Sequence, residues 1–202
     1  MKKTMVLLMV FALCVMCVPA MAEDAGVQTY THPTQGYSIS VPSDWLCVDK
    51  NNVQAYIDAY EAGEMTFSGT NAMTLESLKM QLYTTDCAVL INPQANNIVI
   101  VKEDVGVALT SKQFVSLMIP TLKQQLSMQI PSIQFTSEGD IVPFGENEFI
   151  LLAAEYSLNG FAANVDMLFY VDGSNLYTIN LTTTPFFGQD AVNQFYTDVQ
   201  AA

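Results

Sequence analysis

Apolar and polar positions alternate most strictly in the last third of the chain. Phe161, Ala163, Val165, Met167, Phe169 and Val171 occupy every second position between Asn159-Gly160 and Asp172-Gly173. A period of two predicts a strand, and Asn-Gly and Asp-Gly suit tight hairpins because they tolerate positive φ. With residues 148–158 before it and 176–182 after it, this segment reads as a three-stranded meander. Further upstream, 27–31 and 37–41 read as two strands joined by a turn at Gly36. Pro42 ends the second, since a residue without an N–H cannot continue a central ladder. Residues 87–92 and 98–102 are apolar, β-branched runs on either side of a polar loop, and read as another hairpin.

Helical spacing falls between these strands. Val53, Tyr56, Ile57 and Tyr60 recur at i, i+3, i+4 and i+7 after Asn51 or Asn52 as a cap, and the helix stops at Gly63. Residues 64–72 read as a loop, and Leu75, Leu78 and Leu82 form a second stripe. Thr110 with Gln113 makes a capping box for a helix that turns Phe114, Val115, Met118, Leu122 and Leu126 toward the core. Pro120 must kink or split that helix, because it removes one backbone donor and crowds the preceding turn. Val192, Phe195, Tyr196 and Val199 mark a closing helix. Hairpins with helices set between them predict an α+β fold whose central antiparallel sheet is flanked by helices.

The first 22 residues stand apart. Lys2 and Lys3 precede an unbroken apolar run from Met5 to Val18, then Pro19, Ala20, Met21 and Ala22. This is the layout of an export signal cut near Ala22, and the run is shorter than the roughly 20 residues a bilayer span needs. Residues 23–202 then form a single exported domain, extracellular or periplasmic and not membrane-spanning. Cys14 and Cys17 lie within the run but follow Leu13 and Met16, where a lipidation site has a small residue. Cys47 and Cys87 remain after cleavage. In an oxidising compartment they read either as one structural disulfide, stabilising the fold by about 4 kcal/mol, or as two buried thiols.

Charge narrows the function classes. Of 202 residues, 20 are acidic and 7 basic, for a net charge of −13, and every basic residue is a lysine. Such a chain is repelled by phosphate backbones, which argues against nucleic acid as a partner. Without arginine or a glycine-rich phosphate loop, nothing points to a nucleotide cofactor. His32 is the only imidazole, which excludes H-E-x-x-H zinc chemistry, and its place in His32-Pro33-Thr34-Gln35-Gly36 reads as a solvated turn. The acidic clusters at Glu23-Asp24, Glu103-Asp104, Glu138 with Asp140 and Glu146 with Glu148 match no calcium loop. They read as solubility and turn chemistry, with weak cation binding at a 138–148 loop as the alternative. Asn180-Leu181-Thr182 matches a glycosylation acceptor but falls within a strand. Trp45, the only tryptophan, reads as a plug sealing the sheet edge rather than a ligand platform.

Gly36 followed by Tyr37-Ser38-Ile39-Ser40-Val41-Pro42-Ser43-Asp44-Trp45 resembles the opening of the Mog1/PsbP-like superfamily, and the later order of hairpin, helix, antiparallel strands and closing helix is also similar. The resemblance implies an α/β/α sandwich. It implies little about activity, since members include a photosystem subunit, a binder of a small GTPase and exported bacterial proteins of unknown role. The chain departs from the family's lipoproteins at the lipidation site and adds helical residues between Asn51 and Thr85. The matched positions are structural, so no catalytic, cofactor or metal residue carries over. The function expected is a non-catalytic binding or accessory module of the bacterial cell envelope, engaging a protein or cell-surface component. The alternatives are a secreted hydrolase using two carboxylates and a weak calcium binder.

Overall fold

The computed structural model describes residues 16–17, 26–63, 67–68, 72–92, 96–144, 147–158, 161–183, 190 and 193–194. Most of the expected export signal at 1–22 and most of the 64–72 loop lie outside these residues. The turn at 159–160 and most of the closing helix do so too. Asp190, Asn193 and Gln194 are helical.

An antiparallel hairpin, β1 (Val27–Thr31) and β2 (Ser38–Pro42), opens the fold. Then come β3 (Leu46–Val48), α1 (Val53–Glu61), α2 (Ala72–Thr85), β4 (Ala88–Ile91) and β5 (Asn97–Asp104). A helical segment follows in three pieces: α3 (Ser111–Gln113), a π-helical turn at Phe114–Met118, and α4 (Ile119–Gln129). The last four strands are β6 (Gln134–Phe144), β7 (Asn147–Leu158), β8 (Phe161–Asp172) and β9 (Asn175–Thr183). β3 to β9 make one seven-stranded sheet in the order β3-β4-β5-β9-β8-β7-β6, antiparallel throughout. The fold is therefore α+β. Apart from it, Met16–Cys17 pair with Phe67–Ser68.

The pleat separates two cores. On one face Val89, Ile91, Val99 and Val101 pack against Val53 and Ile57 of α1 and Leu78 and Leu82 of α2. Farther along the same face, Ile150, Leu152, Met167, Phe169 and Leu176 pack against Phe114, Ile119, Leu122 and Leu126. The two patches share a face because Val101 opposes Thr178, and Thr178 opposes Phe169. On the other face Ala88, Leu90, Ile98, Ile100, Leu168, Ile179 and Leu181 receive Ile39, Val41 and Trp45. The β1–β2 hairpin thus covers one face and the helices cover the other. The expected closing helix lies largely outside the described residues.

Thr110 and Gln113 form the expected capping box, each side chain bonding the other's backbone N–H. Pro120 splits the helix: it stands in the first turn of α4, where its missing N–H is least costly, and the chain behind it is wound as a π-turn. Asn52 does occupy the cap position of α1, but its side chain faces backward. Its Oδ1 accepts from Asp49 N and its Nδ2 donates to Cys47 O, each at 2.8 Å.

Residues 138–148 are not the loop the sequence suggests. They are mostly strand, with Glu138 and Asp140 on β6 and Glu148 on β7 paired with Pro143. Bulges between Phe135 and Ser137 and between Glu138 and Asp140 break the alternation that would have marked β6 as a strand. Glu138 pairs with Lys123 at 2.5 Å, and Asp140 accepts from Ser137 Oγ at 2.6 Å.

Candidate functional site: a buried imidazole and a polar cleft

His32 is not solvated. It is 1% exposed, with the Tyr37 ring centre 5.1 Å from its own and the Tyr30 ring centre at 6.3 Å, the latter pair nearly perpendicular. Its Nδ1 accepts from the backbone N–H groups of Thr34 at 3.4 Å and Gln35 at 3.2 Å. The neutral ring therefore carries its hydrogen on Nε2, which is buried without a partner. By closing its own turn, the imidazole aims Thr34 and Gln35 at the α2–β4 junction. Thr34 Oγ1 donates to Asp86 Oδ2 at 2.6 Å, and Gln35 Nε2 donates to Asp86 O at 2.7 Å. Asp86 has positive φ (52°), a conformation aspartate tolerates better than most residues, and pairs with Lys50 at 2.5 Å. Burial alone would push this carboxyl up. The bonds from Lys50 and Thr34 and the charge of Lys50 together outweigh it and hold the carboxyl below its ordinary value.

The two tyrosines complete the cluster. Tyr30 Oη donates to Asp49 Oδ2 at 2.8 Å, and Tyr37 Oη donates to Ile100 O at 3.3 Å. Burial, then the Asp49 bond and charge, drives the Tyr30 phenol far up; burial, with the charges of Cys87, Asp86 and Asp49, does the same for Tyr37. Both stay neutral donors. Cys47 and Cys87 lie unbonded, Cys47 half-buried and Cys87 buried. Their placement supplies the reason: Cys47 packs on the hairpin face, whereas Cys87 belongs to the α1–α2 core on the other. Burial, with the nearby charge of Asp49, pushes the Cys47 thiol up to about 11. Burial also raises Cys87, partly offset by Thr85 Oγ1, which donates to its Sγ at 3.1 Å.

Trp45 is the expected plug. It is 4% exposed in the hairpin-face core, with its carbonyl held by Gln28 Nε2 at 2.8 Å.

The remaining feature is a cleft of about 30 Å³ on the helix-covered face, where the α1–α2 patch gives way to α4. Val101 and Glu103 of β5 and Thr178 and Asn180 of β9 line it together with Leu126, Met167 and Phe169. Asn180 is 7% exposed, out of reach of a glycosylating enzyme, and its Oδ1 has no partner. Glu103 is half-buried, and burial pushes its carboxyl up. A volume of this size holds one or two waters or the tip of a side chain. Among the described residues, no group of three His, Cys, Asp or Glu could hold a metal ion, and no helix is long and apolar enough to cross a membrane.

No protein-family model matches the sequence, and no curated protein matches it. Solved structures do resemble the fold. A cyanobacterial PsbP (CyanoP) from Synechocystis sp. PCC 6803 is similar over 91% of this chain and 94% of its own, with 13% identity and a TM-score of 0.48. LpqN, a Mycobacterium tuberculosis protein involved in cell envelope biogenesis, is similar over 89% of this chain and 90% of its own, with 14% identity and a TM-score of 0.42. These are likenesses in the arrangement of strands and helices, and they extend to nothing those proteins bind or assemble with.

Proposed function

We propose that the chain is an exported, non-catalytic binding or accessory module of the cell envelope. It works after removal of residues 1–22 and engages a protein or cell-surface component. The observation supporting this reading is the set of partners of His32. The one imidazole is 1% exposed, and its hydrogen bonds close its own turn, which fastens the hairpin to the sheet through Asp86. A general base must reach a substrate proton, and a ring enclosed in this way positions backbone instead. The test has two parts. N-terminal sequencing of the protein recovered outside the cytoplasm is expected to begin at Glu23. Envelope material crosslinked to the native protein is expected to yield one stoichiometric component. Retention in the cytoplasm, or turnover of envelope glycans by the purified protein, overturns the reading.

A further inference from the structure

We propose that His32 is an acid-sensitive latch: when the imidazole takes up a proton, the turn at 32–37 opens and the tip of the β1–β2 hairpin comes away from the α2–β4 junction, while Ile39, Val41 and Trp45 keep its base on the sheet. The latch is a property of the fold, and it stands whether or not the chain is a binding module.

The closed turn accommodates only the neutral ring. Nδ1 accepts from the backbone N–H groups of Thr34 and Gln35, whereas an imidazolium has a hydrogen on both nitrogens. A protonated Nδ1 would point that hydrogen at two other donors. Thr34 Oγ1, at 3.4 Å, is too distant to offset the clash. At the other end Nε2 is buried with no acceptor, so the charge would lack solvent and partner on both sides. Opening the turn relieves both conflicts by bringing the ring into water. It also releases Asp86, because Thr34 Oγ1 and Gln35 Nε2 hold the tip there, and these are the two residues whose N–H groups the imidazole gathers.

The charges around the ring do not reverse this. Two carboxylates draw a proton toward it, and both are already engaged. Asp86 pairs with Lys50 and accepts from Thr34, and Asp49 accepts from Tyr30 Oη at 2.8 Å and Asn51 N at 2.7 Å. The Lys50 ammonium opposes a second cation, and Lys102 of β5 lies over the Tyr177 ring. Tyr30, Tyr37, Cys47 and Cys87 are uncharged near neutral pH, each pushed up by burial. The open turn therefore holds a proton that the closed one does not. Closure is complete in neutral solution and is lost as pH falls through and below the ordinary imidazole range, about 6.5.

The protein, purified in the form the cell accumulates and labelled with ¹⁵N, is followed by amide hydrogen exchange from about pH 7.5 to about pH 5, as protection factors that remove the intrinsic pH dependence. Asp86, held below the ordinary aspartate value, stays ionised throughout. Each pH unit below about 6.5 is expected to cut the protection of the His32, Thr34, Gln35 and Gly36 amides by up to tenfold, the slope of one proton taken up on opening. Amides at 165–169 and 176–181 are expected to keep theirs. The ring nitrogens of this single histidine are expected to show the hydrogen on Nε2 at neutral pH. His32→Asn retains an acceptor for the N–H groups just beyond it, as asparagine does in turns, and gains no proton, so its tip protection is expected to stay level. Glu103, whose carboxyl burial raises, titrates in both proteins and cancels from the comparison. Should the asparagine variant fail to fold, the wild type alone decides, since its ring nitrogens and tip amides must change over the same pH interval. Tip protection that stays level in acid, an equal fall in His32→Asn, a hydrogen on Nδ1 at neutral pH, or a loss that spreads over 165–169 and 176–181 overturns the latch.

Discussion

Thr34 and Asp86, 52 positions apart, are joined by a 2.6 Å hydrogen bond that fastens the turn of the N-terminal hairpin to the start of β4. Thr34→Val removes the donor and is expected to destabilise the fold by about 1 kcal/mol. Urea unfolding measures it. In a double-mutant cycle with Asp86→Asn the two costs are expected to fall short of additive, as they do for residues sharing one network. Additive costs would show that the two side chains act separately.

Asp86 also makes part of the stability dependent on pH. Its carboxyl is held below the ordinary aspartate value. A group depressed by folding stabilises at pH above its unfolded value, and that contribution disappears as pH falls through the folded value. The advantage of the wild type over Asp86→Asn is thus expected to stand at neutral pH and to shrink below about pH 4. Parallel unfolding curves from pH 7 to 3 would reveal it. A gap that widens in acid contradicts the pairing with Lys50.

The cysteines give a chemical readout. With Cys47 raised to about 11 by burial and Cys87 fully buried, neither sulfur is an exposed thiolate near pH 8. Ellman's reagent is expected to react slowly with the native mature protein and to titrate both thiols at once in guanidinium. Intact mass should correspond to two thiols. No reaction in denaturant would instead mean that the sulfurs are bonded.

Gly139 sits at the second bulge of β6 with φ +107°, and a Cβ there would meet Val115 Cγ1 at 3.1 Å. Gly139→Ala is expected to cost more than about 1 kcal/mol, since alanine resists that backbone conformation. Adding Val115→Ala should recover only the contact part, leaving the backbone part in the unfolding free energy.

Trp45 reports on the packing of hairpin against sheet. As the only tryptophan, enclosed with Ile39 and Val41, it is expected to emit in the blue and to shift red on unfolding. Trp45→Ala is expected to cost about 3–5 kcal/mol. Red-shifted emission from the native protein would place the indole in water.

The sequence made parts of this fold legible because their signals are local. Asn159-Gly160 and Asp172-Gly173 with the alternation between them sufficed for the meander, and Thr110 with Gln113 for a helix start. The two hairpins upstream were readable from β-branched runs. What escaped depends on distance or on broken periods. β6 lost its period at two bulges, and β3 is only three residues long. His32 looks polar and exposed in its own turn, and only Tyr30, Tyr37 and the sheet beneath them bury it. The cleft was invisible for the same reason: Glu103 reads as half of an acidic pair and Asn180 as a sugar acceptor, until the β5–β9 pairing, with Glu103 opposite Leu176 and Asn180 opposite Val99, puts both on the helix-covered face.

The strand order has a consequence for assembly. β3, β4 and β5 come from the first half of the chain and β6 to β9 from the second, and the two groups join only where Asn97–Asp104 meets Asn175–Thr183. The meander can zip up from neighbouring hairpins, but this junction must wait until residue 183 has been delivered. Until then two half-sheets each present an open margin. A polypeptide emerging N-terminus first would thus leave its central ladder unmade almost to the end, which commits it to a single late closure.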